Sequence, residues 1–376
     1  AFAVSWVYVG LVPMLGVVKV GPQEHADRYT YWIGCGVACC TKTTKLSNWA
    51  TRETVPVVSA CEFVSNAAYP STTGASGATG HPQGTGAWGV LWVEHSRFAE
   101  NTLLATDSHG AVLALDANAV ATNCLFEGHT YDDCAIVAGR GDCLNSGNCL
   151  LSFCTFRNNA ARMIIKGSAN VENCVIVSNA FTKGNGLSVN GTSLFRNCLF
   201  ACNTGAAGVG NSTFENCTFA TNEYGICLYV WQDAPTFRNC VSCGNTGTVS
   251  RIGNTYSGTA DFCFERGWSQ NGRRTGTFED NVVLGCRELP IYNGAAGATF
   301  DFCSLDKTGA TSNIVAAVEK KGFRFVDPAN GDWHLRYNSP LRDAALTLDW
   351  MTEGAADLDG KPRCLDKRGK PTASAL

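Results

Sequence analysis

The chain has 376 residues, of which 45% are hydrophobic and 16% are charged, and its formal net charge at pH 7 is −3. The charged fraction is below the roughly 25% of ordinary soluble domains. The small negative net charge argues against nucleic acid or an acidic membrane as the main partner. The 40 glycines and the many Asn, Ser and Thr residues predict numerous turns.

The first 20 residues, AFAVSWVYVGLVPMLGVVKV, are almost wholly apolar. Phe2, Val4, Trp6 and Tyr8 alternate with other apolar residues, which predicts a strand that is buried on both faces. The stretch lacks the initiating Met and basic segment of an intact signal peptide, and its Pro and Gly residues argue against a transmembrane segment. Two interpretations stay open: the strand caps the first coil of its own chain, or it inserts into a neighbouring subunit and assembles a homo-oligomer or polymer.

Three regions are predicted along the chain. Residues 1–60 provide the N-terminal strand and an irregular entry or cap region, residues 61–310 carry a repeat, and residues 311–376 form a closing segment of different composition. Within the repeat region, a stretch rich in Gly, Ser and Thr separates Asn66 from Trp88 and is predicted to be a loop between two coils.

A short phrase recurs between residues 61 and 303, and its clearest copies are FRNCLFACN, FENCTFATN and FRNCVSCGN. With each Cys as position zero, an apolar residue follows two positions later, a column that Ser242 breaks, and Asn follows five positions later in most copies. Ser96 stands in for one Cys and His129 for one Asn. Successive copies are separated by 20, 24, 19, 23 and 23 residues from Cys154 to Cys263. The best-kept columns are Cys124, Cys154, Cys174, Cys198, Cys217 and Cys240; Phe126, Phe156, Phe200 and Phe219; and Asn159, Asn179, Asn203, Asn222 and Asn245.

This repeat predicts an all-β fold, a single-stranded parallel β-helix of about ten rungs with an N-terminal strand cap and a C-terminal β-type closing segment. Stacked copies place Cys over Cys and Phe over Phe in the core. Asn can bond along the stack and tolerates left-handed turns. A β-propeller is less suitable because its blades usually need about 40 residues or more.

Twenty cysteines are present, nine of them in the Cys column. Neighbouring rungs lie within disulfide reach, but parallel side-by-side Cβ vectors suit that bond poorly, so we expect mostly free thiols in the column. The other eleven could include disulfides in an oxidising compartment. Their spacing shows no convincing zinc pattern.

The segment GFRFVDPANGDWHLRYNSPLRDAA, followed by DLDGKPR, resembles the closing segment of bacterial secreted and surface β-helix proteins. The repeats are similar to those of the same group, of pectate-lyase-like β-helices and of polymorphic outer-membrane proteins. The resemblance implies a right-handed parallel β-helix and a secreted or cell-surface location in a bacterium, but no single activity. The chain departs from the group at its end, CLDKRGKPTASAL. The matching positions are Phe325, Asp327, Pro328, Gly331, Asp332, Trp333, Leu335, Ser339, Pro340, Asp343, Ala344, Asp357, Asp359, Gly360 and Arg363.

Polysaccharide lyases and hydrolases of this fold need clustered acids with Arg or Lys on one face of the coil. Asp132 and Asp133 lie eight and nine residues after one column Cys, Arg162 lies eight after the next, and Lys183 lies nine after the third. If insertions do not shift the register, these four side chains form a surface row that is either a weak catalytic candidate or an ordinary ladder of ion pairs. No cofactor is expected, although Ca²⁺ stays open.

Two further motifs are predicted to be structural. The sequence DLDG at residues 357–360 has the spaced acids of a Ca²⁺ loop but lacks the remaining ligands, so it is predicted to be a turn. Asn190, Asn211 and Asn216 fit the N-glycosylation pattern, although Asn216 also belongs to the repeat.

Three functional hypotheses remain. The first is an extracellular structural subunit of a surface layer, fibre or filament, assembled through its N-terminal strand and end coils. The second is a polysaccharide lyase or glycoside hydrolase that acts on one face of the β-helix. The third is an adhesin or glycan-binding module, which would show exposed aromatic rows without catalytic acids.

Overall fold

The computed structural model describes part of the chain, and its described residues fall into two compact units, Ala1–Asn170 and Val171–Leu376. The described residues are 37–38, 48–65, 67–68, 84–103, 111–115, 118–139, 148–181, 188–189, 193–204, 207–208, 212–222, 226–227, 236–238, 241–243, 249–251, 254–256, 262–263, 277–278, 283–284, 303–304, 324–339, 342, 348–351 and 355–361.

In the first unit each described coil contributes strands to three sheets, which we name sheets A, B and C, and in two coils the sheet C part is divided into two strands. A sheet A strand ends before the Cys column, a sheet B strand follows it, and a sheet C strand follows the Asn column. Within each of the three sheets, neighbouring strands pair in parallel. Sheet A contains Val57–Ser59, Trp92–Glu94, Val120–Thr122 and Cys149–Ser152; sheet B contains Glu62–Val64, Arg97–Ala99, Leu125–Glu127 and Thr155–Arg157; sheet C contains Val37–Ala38, Ala67–Ala68, Gly84–Gly89, Thr102–Leu103, Ala111–Leu115, Thr130–Gly139 and Ala160–Lys166.

The second unit repeats this plan after the strand Ala169–Glu172, which crosses the boundary between the units. Its sheet A contains Leu194–Arg196, Thr213–Glu215, Thr236–Arg238 and Thr277–Phe278; its sheet B contains Val175–Val177, Leu199–Ala201, Thr218–Ala220 and Val241–Cys243. Ala180–Phe181 and Ser188–Val189 are further strands of this unit, and Ala207–Gly208, Ile226–Cys227 and Phe262–Cys263 form a small parallel sheet. Val283–Leu284 pairs in parallel with Cys303–Ser304.

Two antiparallel pairs complete the described strands. Val249–Arg251 pairs with Asn254–Tyr256, and Phe325–Asp327 pairs with Asp332–Leu335 around the 3-10 helix Pro328–Asn330. The predicted all-β parallel β-helix is therefore confirmed, and the hairpin at residues 325–335 belongs to the predicted closing segment. Within the described residues, no helix has the length and apolarity needed to cross a bilayer.

The core of each unit is built from phenylalanine rings stacked in register. Phe98 lies 4.7 Å from Phe63 and 4.9 Å from Phe126 between ring centroids, with nearly parallel planes. In the second unit, Phe200 and Phe219 stack at 4.7 Å. These distances equal the spacing of neighbouring strands because each ring lies over its register partner. Burial of one such side chain stabilises the fold by about 1.5–3 kcal/mol.

Two sharp corners shape each coil between residues 57 and 222 whose corners are described, and each corner uses a residue in the left-handed conformation. The first corner immediately precedes the Cys column and the second immediately precedes the Asn column. The corner residues have φ between 47° and 65°. The first-corner residues are Ala60, His95, Asn123, Phe153, Asn173, Asn197 and Asn216; the second-corner residues are Ser65, Glu100, Gly128, Asn158, Ser178, Cys202 and Thr221.

The position of the column Cys and the start of the coils both differ in detail from the sequence-based expectation. Cys and Phe two residues apart both point into the core, but the Cys lies at the corner just before a three-residue strand rather than within it. Val57–Ser59, ahead of the boundary expected at residue 61, already pairs in parallel with Trp92–Glu94.

Candidate functional site

The column cysteines bridge the first corner of each coil. Each thiol donates to the backbone carbonyl two residues earlier, at 3.2–3.4 Å. These six cysteines are buried free thiols in the structure. The described members of the column are Cys61, Cys124, Cys154, Cys174, Cys198 and Cys217.

Three of the buried thiols, Cys61, Cys124 and Cys149, have raised pKa values and are held in their neutral form. Burial raises the pKa of Cys61. The pKa of Cys124 is raised well above its usual value, first by the hydrogen bond with Cys154 and then by burial. Burial also raises the pKa of Cys149, outside the column, to about 12. A protonated thiol is a poor nucleophile and metal ligand, so these three cysteines serve packing, and Cys61 and Cys124 also serve corner formation.

In the first unit, the Asn column forms a chain of hydrogen bonds between coils. The amide of Asn159 donates to the carbonyl of Phe126 at 3.1 Å, and its side-chain oxygen accepts the backbone N–H of His129 at 3.1 Å. His129 occupies an Asn position, and its Nδ1 accepts the backbone N–H of Asn101 at 3.1 Å.

His129 is buried and uncharged at neutral pH. Its side chain lies in the interior, and burial lowers its pKa to about 4, although hydrogen bonds and Glu127 act in the opposite direction. An imidazole whose Nδ1 accepts a hydrogen bond must be unprotonated at that atom. Neutral His129 therefore reproduces the acceptor that Asn supplies in other coils.

In the second unit, the column contains a continuous amide ladder. The side-chain oxygen of Asn203 accepts both the backbone N–H and the Nδ2 of Asn179, at 2.9 and 3.0 Å. Asn203 repeats the same two bonds to the oxygen of Asn222, at 3.0 and 2.9 Å. Its Nδ2 also donates to the carbonyl of Ile176 at 2.9 Å. All three Asn side chains are buried, so the ladder fixes the register between coils.

Glu94 is a nearly buried carboxylate on sheet A. Its oxygens accept the Ser59 hydroxyl at 2.8 Å and the Trp92 Nε1–H at 2.7 Å, and Arg52 Nη1 lies at 2.8 Å. Burial raises the pKa of Glu94, but these donors and the Arg52 charge outweigh that effect and leave it lowered. Glu94 is consequently an ionised structural group.

Glu127 on sheet B lies between two arginines of neighbouring coils. Arg97 Nε is 2.8 Å from one carboxylate oxygen, and Arg157 Nη2 is 2.7 Å from the other. Burial raises the pKa of Glu127, while the two arginines lower it by a larger amount, so the net shift is downward. This arginine–glutamate–arginine row joins three coils through ion pairs.

An equivalent row exists on sheet A of the second unit. Arg196 Nε lies 2.9 Å from Glu215, and its Nη1 lies 3.6 Å from Glu172. The Arg196 guanidinium also lies over the ring of Trp350, 5.8 Å from the centroid. The closing segment therefore packs against this row.

The predicted catalytic residues lie on neighbouring strands as far as their backbone is described. Asp132 and Asp133 lie in Thr130–Gly139, and Arg162 lies in the adjacent Ala160–Lys166. The pairing shifts between Tyr131 and Ala135, so residues 132–134 face the single position 162. The equal register on which the predicted row depends is thus broken by a bulge. Lys183 lies outside the described residues.

Several other predicted residues also lie outside the described part of the chain. These are Phe2, Val4, Trp6 and Tyr8 of the proposed assembly strand, and Cys240 and Asn245 of the columns. Of the glycosylation patterns, Asn216 is buried within the first-corner column, where its Nδ2 donates to Asn197 at 3.2 Å. The folded protein therefore offers no access to that site.

The ion pairs between neighbouring coils were not predicted, although the sequence contains a signal for them. Glu127 and Arg157 occupy the third position after the Cys column, and Arg196 and Glu215 occupy the second position before it. Opposite charges at one offset in consecutive copies predict ion pairs on parallel strands. Among the described residues, no group of three or more His, Cys, Asp or Glu side chains is arranged to hold a metal ion.

The comparison with models of protein families agrees with this architecture. Residues 88–242 match the family model described as a right handed beta helix region. Two solved structures of trypsin-treated QnrB1, a plasmid-mediated fluoroquinolone resistance protein, are similar at 15% and 16% identity. Each similarity covers 41% of this chain, 75% and 73% of the other chain, and has a TM-score of 0.16, which supports no inference about this chain.

Comparison with curated proteins gives no match. The family model extends over strands of both units, from Gly84–Gly89 to Val241–Cys243. Residues 88–242 of this chain are therefore a right-handed β-helix region.

Proposed function

We propose that this chain is an extracellular structural protein, a subunit of a bacterial surface layer, fibre or filament. The observation that carries the proposal is that three carboxylates of the coils, two buried and one half-buried, form contacts between neighbouring coils. Glu94, Glu127 and Glu215 each accept hydrogen bonds or ion pairs from a neighbouring coil.

The electrostatics of these carboxylates support a structural role. A general acid works best when burial raises its pKa towards the working pH. Glu94 and Glu127 have lowered pKa values because donors and arginines stabilise their charged forms. Each is therefore fixed as an anion, which suits a permanent contact between coils.

In this proposal the N-terminal strand joins the subunits. An apolar strand with alternating Phe2, Val4, Trp6 and Tyr8 must be covered on both faces. Insertion into a neighbouring copy would cover it, and a head-to-tail contact of this kind generates an open polymer. The same strand folded back on its own chain would instead give a monomer.

Electron microscopy of the native, undenatured protein tests the proposal directly. Regular filaments or sheets are expected. Dispersed single particles over a range of protein concentrations would contradict assembly.

A deletion of residues 1–10 tests whether the N-terminal strand inserts into a neighbouring copy or folds back on its own chain. If the strand joins subunits, the shortened chain is monomeric and a synthetic peptide of residues 1–10 binds it without restoring polymers. The full-length double variant Trp6→Ser and Tyr8→Ser keeps the chain length and removes the large apolar side chains, and it should also be monomeric. Polymers that survive both changes would exclude this strand as the joint.

The second candidate is a polysaccharide lyase or glycoside hydrolase, and the bulge at residues 132–134 favours it. Bulges re-aim side chains and are common beside active sites, and this one lies opposite the backbone of Arg162. The candidate is tested on a panel of acidic polysaccharides by release of unsaturated products or reducing ends. Activity that disappears in both Asp132→Asn and Arg162→Gln would establish it. Absence of activity across the panel favours the structural proposal.

A further inference from the structure

The closing hairpin and a later turn are joined by one histidine. The hairpin bends at Gly331, which has a φ of 82°, and Phe325 packs edge-on against Trp333 at 5.4 Å between centroids. His334 follows Trp333 on the second strand, Asp332–Leu335. Its imidazole reaches Asp359 in the segment 357–361.

The sequence DLDG forms a self-contained turn, as its composition predicts. The Asp357 carboxylate accepts the backbone N–H groups of Asp359 and Lys361, at 3.0 and 2.9 Å. Gly360 donates to the Asp357 carbonyl at 3.0 Å and has a φ of 74°. Both backbone bonds end on Oδ1 of Asp357, and it is the carboxylate of Asp359 that contacts His334 of the hairpin.

Both ring nitrogens of His334 contact carboxylates. Nδ1 is hydrogen-bonded to Oδ1 of Asp332, and Nε2 lies 3.2 Å from Oδ2 of Asp359. A carboxylate only accepts, and a neutral imidazole carries only one N–H. Both contacts can be hydrogen bonds only when the ring carries two protons, so this geometry selects the imidazolium.

We propose that His334 is a proton-operated latch that holds the turn at residues 357–361 against the hairpin at residues 325–335. When the ring is protonated, it bridges Asp332 and Asp359. When the ring loses a proton, Nδ1 keeps its hydrogen in the shorter contact with Asp332 and Nε2 becomes a lone pair that faces Asp359, so the contact between hairpin and turn opens.

The charges around the ring determine the direction of the switch. Asp332 faces the imidazole from the same strand, and Asp359 faces it from the turn. Lys361 Nζ lies 2.6 Å from Oδ2 of Asp359. Burial lowers the pKa of His334, but the two carboxylates outweigh burial and raise it. A raised pKa in the folded state means that the contact is complete at low pH and is lost as the pH rises through the His334 pKa.

The turn also connects to the coils of the second unit. Directly before it, the carbonyl of Ala356 accepts the Asn197 Nδ2 at 3.1 Å. Asn197 is a buried first-corner residue beside Arg196, which carries the Trp350 contact. Opening of the latch is therefore expected to loosen residues 355–361 on the surface of these coils as well.

Two measurements on the full chain test the latch. Hydrogen exchange of residues 355–361, corrected for the intrinsic pH dependence, is followed from pH ~5.5 to ~8.5, a range that brackets the ordinary His pKa of about 6.5. We expect protection to fall roughly two- to fivefold as the pH rises, the range that a part-exposed ion pair supports. In selectively ¹⁵N-His-labelled protein, the His334 nitrogens should titrate with a midpoint above about 6.5.

Matched variants make the result specific. In His334→Gln and Asp359→Asn, exchange should be independent of pH and equal to the high-pH level of the wild type, whereas His95→Asn, at an exposed histidine, should keep the wild-type response. The latch is overturned if His334→Gln retains the pH dependence, if the wild type shows none, or if the ¹⁵N shifts show a neutral His334 at pH ~6.

Discussion

The hydroxyl of Ser96 donates a 2.8 Å hydrogen bond to the backbone carbonyl of Glu94, across a corner formed by His95. The column cysteines make the same bond to the carbonyl two residues earlier. The Ser96 hydroxyl also accepts the backbone N–H of Cys61 at 3.2 Å. Ser96 is thus a functional equivalent of the column Cys, and the column is defined by a corner bond as well as by apolar packing.

Removal of the Ser96 hydroxyl should destabilise the protein. We expect Ser96→Ala to lower the free energy of unfolding by about 1–3 kcal/mol, because two buried hydrogen bonds are lost. Ser96→Cys should cost about 1 kcal/mol or less, since a thiol can make the corner bond. Urea denaturation measures both, with Ser178→Ala, at an exposed serine, as the control. Equal stability of Ser96→Ala and Ser178→Ala would contradict the role of the corner bond.

Truncation of one ladder amide should have a larger effect. Asn203 makes bonds to both neighbouring coils through its side chain. We expect Asn203→Ala to lower the free energy of unfolding by about 3 kcal/mol or more, because several buried polar groups lose a partner together. The adjacent exposed Thr204→Ala should change it by less than about 0.5 kcal/mol. Matching urea midpoints for the two variants would show that the ladder contributes little.

Acid sensitivity should depend on His129. Its pKa is lowered to about 4, so the neutral ring stabilises the fold above the unfolded value of about 6.5, and this contribution is lost as the pH falls from about 6.5 towards 4. A shift of this size corresponds to roughly 3 kcal/mol.

His129→Asn introduces the residue that other coils carry at this position. The variant should therefore lose less stability than the wild type when the pH falls towards 4. The test compares urea midpoints at neutral pH and near pH 4, with His95→Asn as the control at an exposed histidine. An unchanged acid response in His129→Asn would refute the prediction.

The ion pairs of Arg97, Glu127 and Arg157 should make a salt-dependent contribution to the free energy of unfolding. Glu127→Gln removes the charge between the two arginines, and we expect a loss of about 1 kcal/mol at low ionic strength. The loss should shrink in ~1 M salt, where the screening length is about 3 Å. Glu62→Gln, at an exposed position of the neighbouring coil, is the control. A loss that does not depend on salt would indicate a packing effect instead.

A first-corner substitution should stabilise the protein. Ala60 is exposed and has a φ of 52°, a conformation that Asn tolerates better than Ala. We expect Ala60→Asn to raise the free energy of unfolding by about 0.5–1 kcal/mol. Ala60→Val should lower it by about 1 kcal/mol or more, because a β-branched residue is strained there. Thermal unfolding measures both, and a stabilising Ala60→Val would contradict the argument.

Much of the fold follows from the repeat because one rule applies to every coil. A Phe two residues after each Cys must lie on its counterpart when coils stack in register, and Phe98, Phe126 and Phe156 do so. Asn at the first corner was also a local signal, since Asn tolerates positive φ. By contrast, Ser65, Glu100 and Thr221 adopt the same conformation at the second corner and share no residue type, so no sequence pattern indicated it.

The candidate sites were less accessible from sequence. The row predicted from Asp132 and Arg162 assumed equal spacing, but strand pairing places residues 132–134 opposite one residue. Likewise, His334 and Asp359 are separated by 25 residues, and no periodicity brings them together. Such contacts depend on how loops and non-repeating segments fold back, which local spacing does not specify.

The sequence by itself determined the coil, its three columns and the burial of its cysteines, because these follow from short-range periodicity repeated along the chain. Tertiary structure alone decided the second corner, the bulge opposite Arg162 and the contact of His334 with Asp359. The physical reason is that these features arise from pairing between segments distant in sequence, where backbone register and hydrogen-bond satisfaction override local residue preference.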